Sequence, residues 1–129
     1  MVPTDPLSTY RAYIACLNRR SWDQLPGFVH REVTHNDRPL GLPGYREMLE
    51  RDVEAIPDLR FTVDLLVGDA SAVAARLLFD CRPKASFLGL PVDGRRVCFA
   101  EHVFYRLDGG LIRAVRSIID RDAIAAQIR

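Results

Sequence analysis

Arg95-Arg96-Val97-Cys98-Phe99-Ala100-Glu101-His102-Val103-Phe104-Tyr105-Arg106 is followed by Leu107-Asp108-Gly109-Gly110 and then Leu111-Ile112-Arg113-Ala114-Val115-Arg116-Ser117-Ile118-Ile119. Successive side chains of an extended chain point to opposite faces, so Phe99, Glu101 and Val103 share one side. Asp108-Gly109-Gly110 is turn chemistry, which makes the two segments a long strand and a last strand joined as a hairpin. Working upstream, Phe61, Val63, Leu65 and Val67 alternate with Thr62, Asp64 and Leu66, and Gly68-Asp69 turns the chain. Val73, Ala75, Leu77, Phe79 and Cys81 repeat the two-residue period. Arg82-Pro83-Lys84 interrupts it. Phe87-Leu88-Gly89-Leu90-Pro91 reads as an apolar loop or short strand, and Asp93-Gly94 as a hairpin turn.

The first half has the helical period instead. Pro6 opens a helix capped by Asp5 or Thr4, with Leu7, Tyr10, Ile14 and Leu17 on one face to about Arg19. Ser21 and Gln24 have capping-box spacing and start a short second helix with Trp22, Leu25, Phe28 and Val29 inward. Val33 to Asp37 reads as a short strand. A third helix runs from about Pro43 to Ala55, with Tyr45, Met48, Leu49, Val53 and Ile56 buried, and Pro57 ends it. Asp120 caps a terminal helix through Ile128. Helices segregated from a run of antiparallel strands make an α+β domain.

The 129 residues suit a single domain, residues 1–129. Eighteen basic against 17 acidic residues leave a formal charge of +1, which argues against a polyanion-binding surface. No apolar run approaches transmembrane length, and Met1-Val2-Pro3-Thr4-Asp5 lacks a signal-peptide start, so a cytoplasmic protein is expected. Cys16, Cys81 and Cys98 are too few and too scattered for a disulfide framework and read as small buried hydrophobes. His30, His35 and His102 lack metal-ligand spacing. There is no glycine-rich phosphate loop, nucleophile elbow or basic-aromatic array.

Glu101 is the residue that stands out, an acid inside an apolar strand face. Burial raises a carboxyl pKa and suits it to proton transfer near neutrality. The other reading is a structural acid paired with Arg76 or Arg116. His35, on the face of Val33, is either a general base that can orient a carbonyl or an ordinary half-buried strand histidine. Asn36 and Asp37 face the other way and build the turn. Tyr10, Tyr13, Tyr45 and Tyr105 either place phenols in a cavity or serve as amphipathic core. His102 points away from Glu101 if the strand is regular. The strands bury apolar residues on both faces, and the face turned from the helices fits a second copy of the chain.

The chain resembles the SnoaL-like polyketide cyclases (ester cyclases) of the nuclear-transport-factor-2-like superfamily. The resemblance is carried by Phe28-Val29-His30-Arg31-Glu32-Val33, Gly44-Tyr45-Arg46, and Phe87-Leu88-Gly89-Leu90-Pro91 before Gly94-Arg95-Arg96. Glu101-His102-Val103-Phe104-Tyr105-Arg106 continues it through Gly110-Leu111-Ile112 to Ser117-Ile118-Ile119-Asp120. It implies a cone, a cystatin-like α+β barrel, whose curved antiparallel sheet wraps three N-terminal helices around a pocket. It implies intramolecular aldol closure of a polyketide ester by acid/base catalysis, with neither metal nor organic cofactor. By the same resemblance His35 stands where the cyclases place a pocket asparagine, and Glu101 at a polar pocket position. Val103 and Val115 stand where aromatic-polyketide cyclases have histidines, and Ser117 where they have the catalytic aspartate.

A serine hydroxyl does not titrate near neutrality and cannot replace that aspartate. Asp120 has the opposite strand parity to Ser117 and reads as the helix cap. In an enzyme the proton-transfer role must therefore have moved to His35 or Glu101. Ser117 and Tyr105 are then hydrogen-bonding helpers, and Tyr13, Tyr45, Phe87, Val103 and Val115 complete the expected lining. The expected ligand is a small apolar carbonyl compound, with no nucleic acid and no membrane as partner, and the chain is expected to form a homodimer through the outer sheet face. The alternatives are a non-catalytic small-molecule binder and a protein-interaction module.

Overall fold

The structure, a computed structural model, describes residues 5–129. Met1 to Thr4, and with them the Thr4 cap and most of the N-terminal reading, lie outside it. The order is α1 (Pro6–Arg19), a 3₁₀ helix (Trp22–Gly27), β1 (Val29–His35), α2 (Gly41–Ala55), β2 (Thr62–Gly68), β3 (Ala72–Cys81), β4 (Val97–Asp108), β5 (Leu111–Ile119) and α3 (Arg121–Gln127). The five strands form one curved, unclosed sheet in the order β1-β5-β4-β3-β2. Pairing is antiparallel from β2 to β5, and β1 joins β5 in parallel. α1 and α2 lie on the concave side, where Tyr13 and Tyr45 face the same space as Val103 and Glu101. This is the expected α+β cone, with one parallel edge that the hairpin pattern does not reveal.

Local chemistry sets the ends of α1. The Asp5 carboxylate accepts from the Ser8 amide at 3.2 Å, and Pro6 fills a position whose amide has no helical partner. Arg20 closes the helix in the left-handed region with φ of 60°, and its guanidinium donates to the Leu17 carbonyl at 3.0 Å and to that of Leu59. The second helix is a 3₁₀ helix. Pro26 has no amide to continue an α-helical ladder, and the Ser21 side chain makes no cap bond, so the capping-box reading fails there. β1 starts at Val29, four residues before the expected Val33, and Asn36 and Asp37 leave it in left-handed conformations with φ of 47° and 67°.

Register corrects the reading of β2. Val63 pairs with Leu77, but Leu65 pairs with Arg76, so Asp64 is an extra residue. The bulge turns Leu65 and Val67 outward, 59% and 54% exposed, instead of keeping them beside Phe61 and Val63. Gly68 ends the strand where a Cβ would lie 2.5 Å from the Ala72 carbonyl oxygen. β3 keeps strict alternation, with Val73, Ala75, Leu77, Phe79 and Cys81 all buried. Cys16 is buried too. Cys98, however, faces outward between buried Val97 and Phe99, because alternation decides its side rather than its hydrophobicity.

α3 has only seven residues, too short to persist alone. Asp120 caps it through the Ala123 amide at 3.1 Å, and fully buried Ile124 docks it, which contributes about 1.5–3 kcal/mol. No helix among the described residues is long and apolar enough to cross a membrane.

Candidate active site

Strand parity builds the site. On β4, Phe99, Glu101, Val103 and Tyr105 follow one another on the concave face. β5 lies alongside with Tyr105 opposite Val115, Val103 opposite Ser117 and Glu101 opposite Ile119. Glu101 and Ser117 are thus diagonal neighbours, within reach of a cross-strand contact. The Ser117 hydroxyl donates to Glu101 Oε2, the one hydrogen bond this carboxylate receives among the described residues. His35 comes from the end of β1, Tyr13 from α1, Tyr45 from α2 and Phe87 from the loop after β3.

All nine expected site residues line one cavity of about 560 Å³: Glu101, His35, Ser117, Tyr105, Val103, Val115, Tyr13, Tyr45 and Phe87. Three tyrosines furnish its phenols. The Tyr13 and Tyr45 hydroxyls share a hydrogen bond of 2.7 Å, and Tyr105 shares one of 3.0 Å with Tyr10, which lies outside this cavity. Burial pushes all four phenols well up, so they remain neutral O–H groups at physiological pH.

Among the described residues the acid is not part of an ion pair. Arg76 bonds Asp64 at 2.8 Å and Arg116 bonds Asp37 at 2.8 Å, so the reading of Glu101 as partner to either arginine is overturned. The cause is parity, because Arg76 stands opposite His102 on the convex face and donates to its Nε2 at 3.2 Å. His102 faces away from Glu101, as a regular strand requires. Burial raises the Glu101 carboxyl above its ordinary value. The Ser117 bond opposes that rise, and the charge of Asp52 adds to it. His35 moves the other way, lowered first by burial and then by Arg38, so a neutral imidazole faces the cavity. Its Nδ1 is buried without a hydrogen-bond partner among the described residues. Such an orphan costs about 1–3 kcal/mol, which a polar group on a ligand would recover.

Asp52, Asn36, Arg38 and Arg121 also line the cavity, and sequence reasoning missed them as site residues. Asp52 had a signal, since it follows Tyr45 and Leu49 at helical spacing on the same face of α2. One side of it meets solvent at the mouth, while protein crowds the other and pushes its carboxyl up to about 6. Asn36 does build the turn, but it also clasps β5. Its Oδ1 accepts from the Ser117 amide at 2.8 Å, and its Nδ2 donates to the Ser117 carbonyl at 3.2 Å. No group of three or more metal-ligating side chains occurs among the described residues.

The site combines an uncompensated acid, a neutral imidazole and phenolic donors on apolar walls. That set can move a proton next to a carbonyl and hold the resulting oxyanion. No curated protein matches the chain. Among solved structures, a SnoaL-like polyketide cyclase from Agrobacterium tumefaciens is 50% identical, with 98% of this chain and all of that one covered and a TM-score of 0.97. TsrD from Streptomyces laurentii, at 24% identity, covers 94% of this chain and 92% of its own with a TM-score of 0.80. IdmH from Streptomyces antibioticus, at 19%, covers 95% and 97% with the same TM-score, and these two speak to the fold alone. The SnoaL-like polyketide cyclase family matches residues 8–128, nearly the whole of the chain whose strands carry this cavity, and the protein belongs to that family.

Proposed function

We propose that the protein is an acid/base enzyme that needs no cofactor, a cyclase or isomerase of aldol type, acting on a small carbonyl compound in the cavity. One observation carries this reading: the Glu101 carboxylate touches the Ser117 hydroxyl. By resemblance, position 117 is where the cyclases keep their catalytic aspartate. A carboxyl group therefore reaches within one hydrogen bond of that place, delivered from the neighbouring strand. The missing acid has moved across a β-ladder rather than disappeared.

In this mechanism ionised Glu101 takes a proton from the carbon next to a carbonyl. Its raised pKa makes it a stronger base than an ordinary carboxylate, and the Ser117 hydroxyl fixes its orientation. The neutral His35 imidazole and the Tyr45 phenol lie on the same cavity and supply donors for the enolate oxygen. The enolate carbon then attacks a second carbonyl of the same molecule, forming the ring bond, and protonated Glu101 returns its proton to the new alkoxide. Val103, Val115, Phe87, Tyr13 and Tyr105 exclude water and hold the chain folded for attack. Three free thiols agree with a reducing, cytoplasmic setting. A homodimer through the convex face belongs to the same proposal, since Phe104 and Ile118 are exposed there at 65% and 76%.

The test is hydrogen–deuterium exchange next to the carbonyl of β-tetralone in deuterated buffer, followed by proton NMR. The wild-type protein accelerates exchange, Glu101→Gln removes the acceleration, and His35→Ala weakens it. Equal acceleration by Glu101→Gln overturns the assignment. Ser117 itself favours the second reading, a non-catalytic binder, which predicts saturable binding of β-tetralone with no accelerated exchange in any variant.

A further inference from the structure

Two cations stand at the mouth of the cavity, and neither moves a proton in the proposed chemistry, Arg38 entering it only through its charge on His35. Arg38 follows β1 through a tight turn in which it and His35 exchange two backbone hydrogen bonds of 3.0 Å. Arg121 follows β5 at the start of α3. β1 and β5 run parallel, and Asn36 clasps the Ser117 backbone between them, so both arginines leave the sheet at the same end. Both line the cavity.

Neither has a carboxylate within 4.0 Å among the described residues, a state they share with other surface arginines such as Arg31 and Arg60, but of the arginines these two alone line the cavity. Arg121 is also held in place. Its Nε donates to the Leu88 carbonyl at 2.9 Å, and its two terminal nitrogens have no acceptor among the described residues. Leu88 itself sits in a left-handed conformation with φ of 53°, in the loop that also carries Phe87 to the cavity. A positioned guanidinium with two free donors matches the two oxygens of a carboxylate.

We infer that the substrate carries a free carboxylate, seated at the mouth between Arg38 and Arg121 while its apolar carbonyl portion fills the cavity. This rests on the cavity being the substrate site, as proposed above. It departs from the ester that the family resemblance implies, because an ester offers the arginines only neutral acceptors.

The experiment is calorimetric titration of the full chain with naphthoate and with methyl naphthoate, which share a ring system and differ in the charge. Naphthoate is expected to bind at least about tenfold more tightly, the size expected of two partly solvated charge pairs. Arg38→Gln and Arg121→Gln each reduce naphthoate affinity several-fold and have little effect on the ester, whose binding also reports that each variant is folded. Arg121→Lys keeps the charge but loses the fork, and falls between. Ester binding equal to or tighter than naphthoate binding, or naphthoate affinity indifferent to both arginine variants, overturns the inference and leaves the proposed acid/base chemistry standing. Binding of neither compound overturns the cavity as a substrate site and the inference with it.

Discussion

Replacing Ser117 by alanine removes the single hydrogen bond that Glu101 receives among the described residues. The cost depends on the protonation state of the acid. A hydrogen bond to a charged group contributes about 1.5–3 kcal/mol, and one between neutral groups about 0.5–1.5 kcal/mol. Burial lifts the Glu101 pKa above that of the unfolded chain, so its contribution to stability is fully present below the unfolded value and is lost as pH rises through the folded value. The Ser117 bond limits that loss by favouring the anion, and Ser117→Ala deepens it. Ser117→Ala is therefore expected to cost about 1.5–3 kcal/mol in mildly alkaline buffer and about 0.5–1.5 kcal/mol in acid, below the ordinary carboxylate range. Urea unfolding of wild type, Ser117→Ala, Glu101→Gln and the double variant across that pH span measures both numbers. In the Glu101→Gln background the serine has only a neutral partner, so its removal costs the smaller amount at every pH. The acid limb of the exchange profile also moves to higher pH in Ser117→Ala. A Ser117→Ala cost that is the same at both ends of the span, or equally pH-dependent without Glu101, refutes the claim that this hydroxyl serves the ionised acid.

The buried Tyr13–Tyr45 pair yields a cycle of its own. Tyr13→Phe or Tyr45→Phe alone strands a buried hydroxyl and costs about 1–3 kcal/mol, while the double variant, with both hydroxyls gone, costs no more than the worse single, as thermal unfolding checks. Asp52 is raised from 3.8 to about 6, so its ionisation opposes folding. Asp52→Asn is expected to stabilise above about pH 6 and to lose that gain below 3.8, by well under 1 kcal/mol because the mouth is partly solvated. A gain independent of pH counts against a titrating origin. Ile118→Lys puts a charge on the exposed convex face and is expected to convert a dimer to monomer in sedimentation with the fold intact. A wild-type chain already monomeric at micromolar concentration removes that surface from consideration.

How much of this was legible follows from which interactions are local. Glu101 is legible from two neighbours on its own strand, Phe99 and Val103, because side-chain alternation is a property of consecutive residues. Alternation also sets Val103 beside Glu101 and Val115 beside Ser117 on their own strands, whereas it is the family resemblance that points to Ser117, Val103 and Val115 as pocket positions. Parity fails where a ladder slips, and no feature of Phe61 to Val67 marks Asp64 as the extra residue. The bulge is set by pairing with Arg76 and Leu77, a relation between strands rather than within one. The parallel placement of β1 beside β5 is illegible for the same reason, and the overlooked mouth depends on it. Arg38 is a turn residue and Arg121 a helix-start residue until β1 and β5 are laid side by side with the same direction. Asp52 is the instructive miss, since it has the helical spacing of Tyr45 and Leu49, although an acid on an amphipathic helix is ordinarily solvated. Only the opposing sheet turns that side of α2 into a cavity wall. The proposed proton-transfer group is thus written in local pattern, while the arginines proposed to hold the substrate are written in topology, and the test of the two arginines probes the part of the site that the sequence leaves unread.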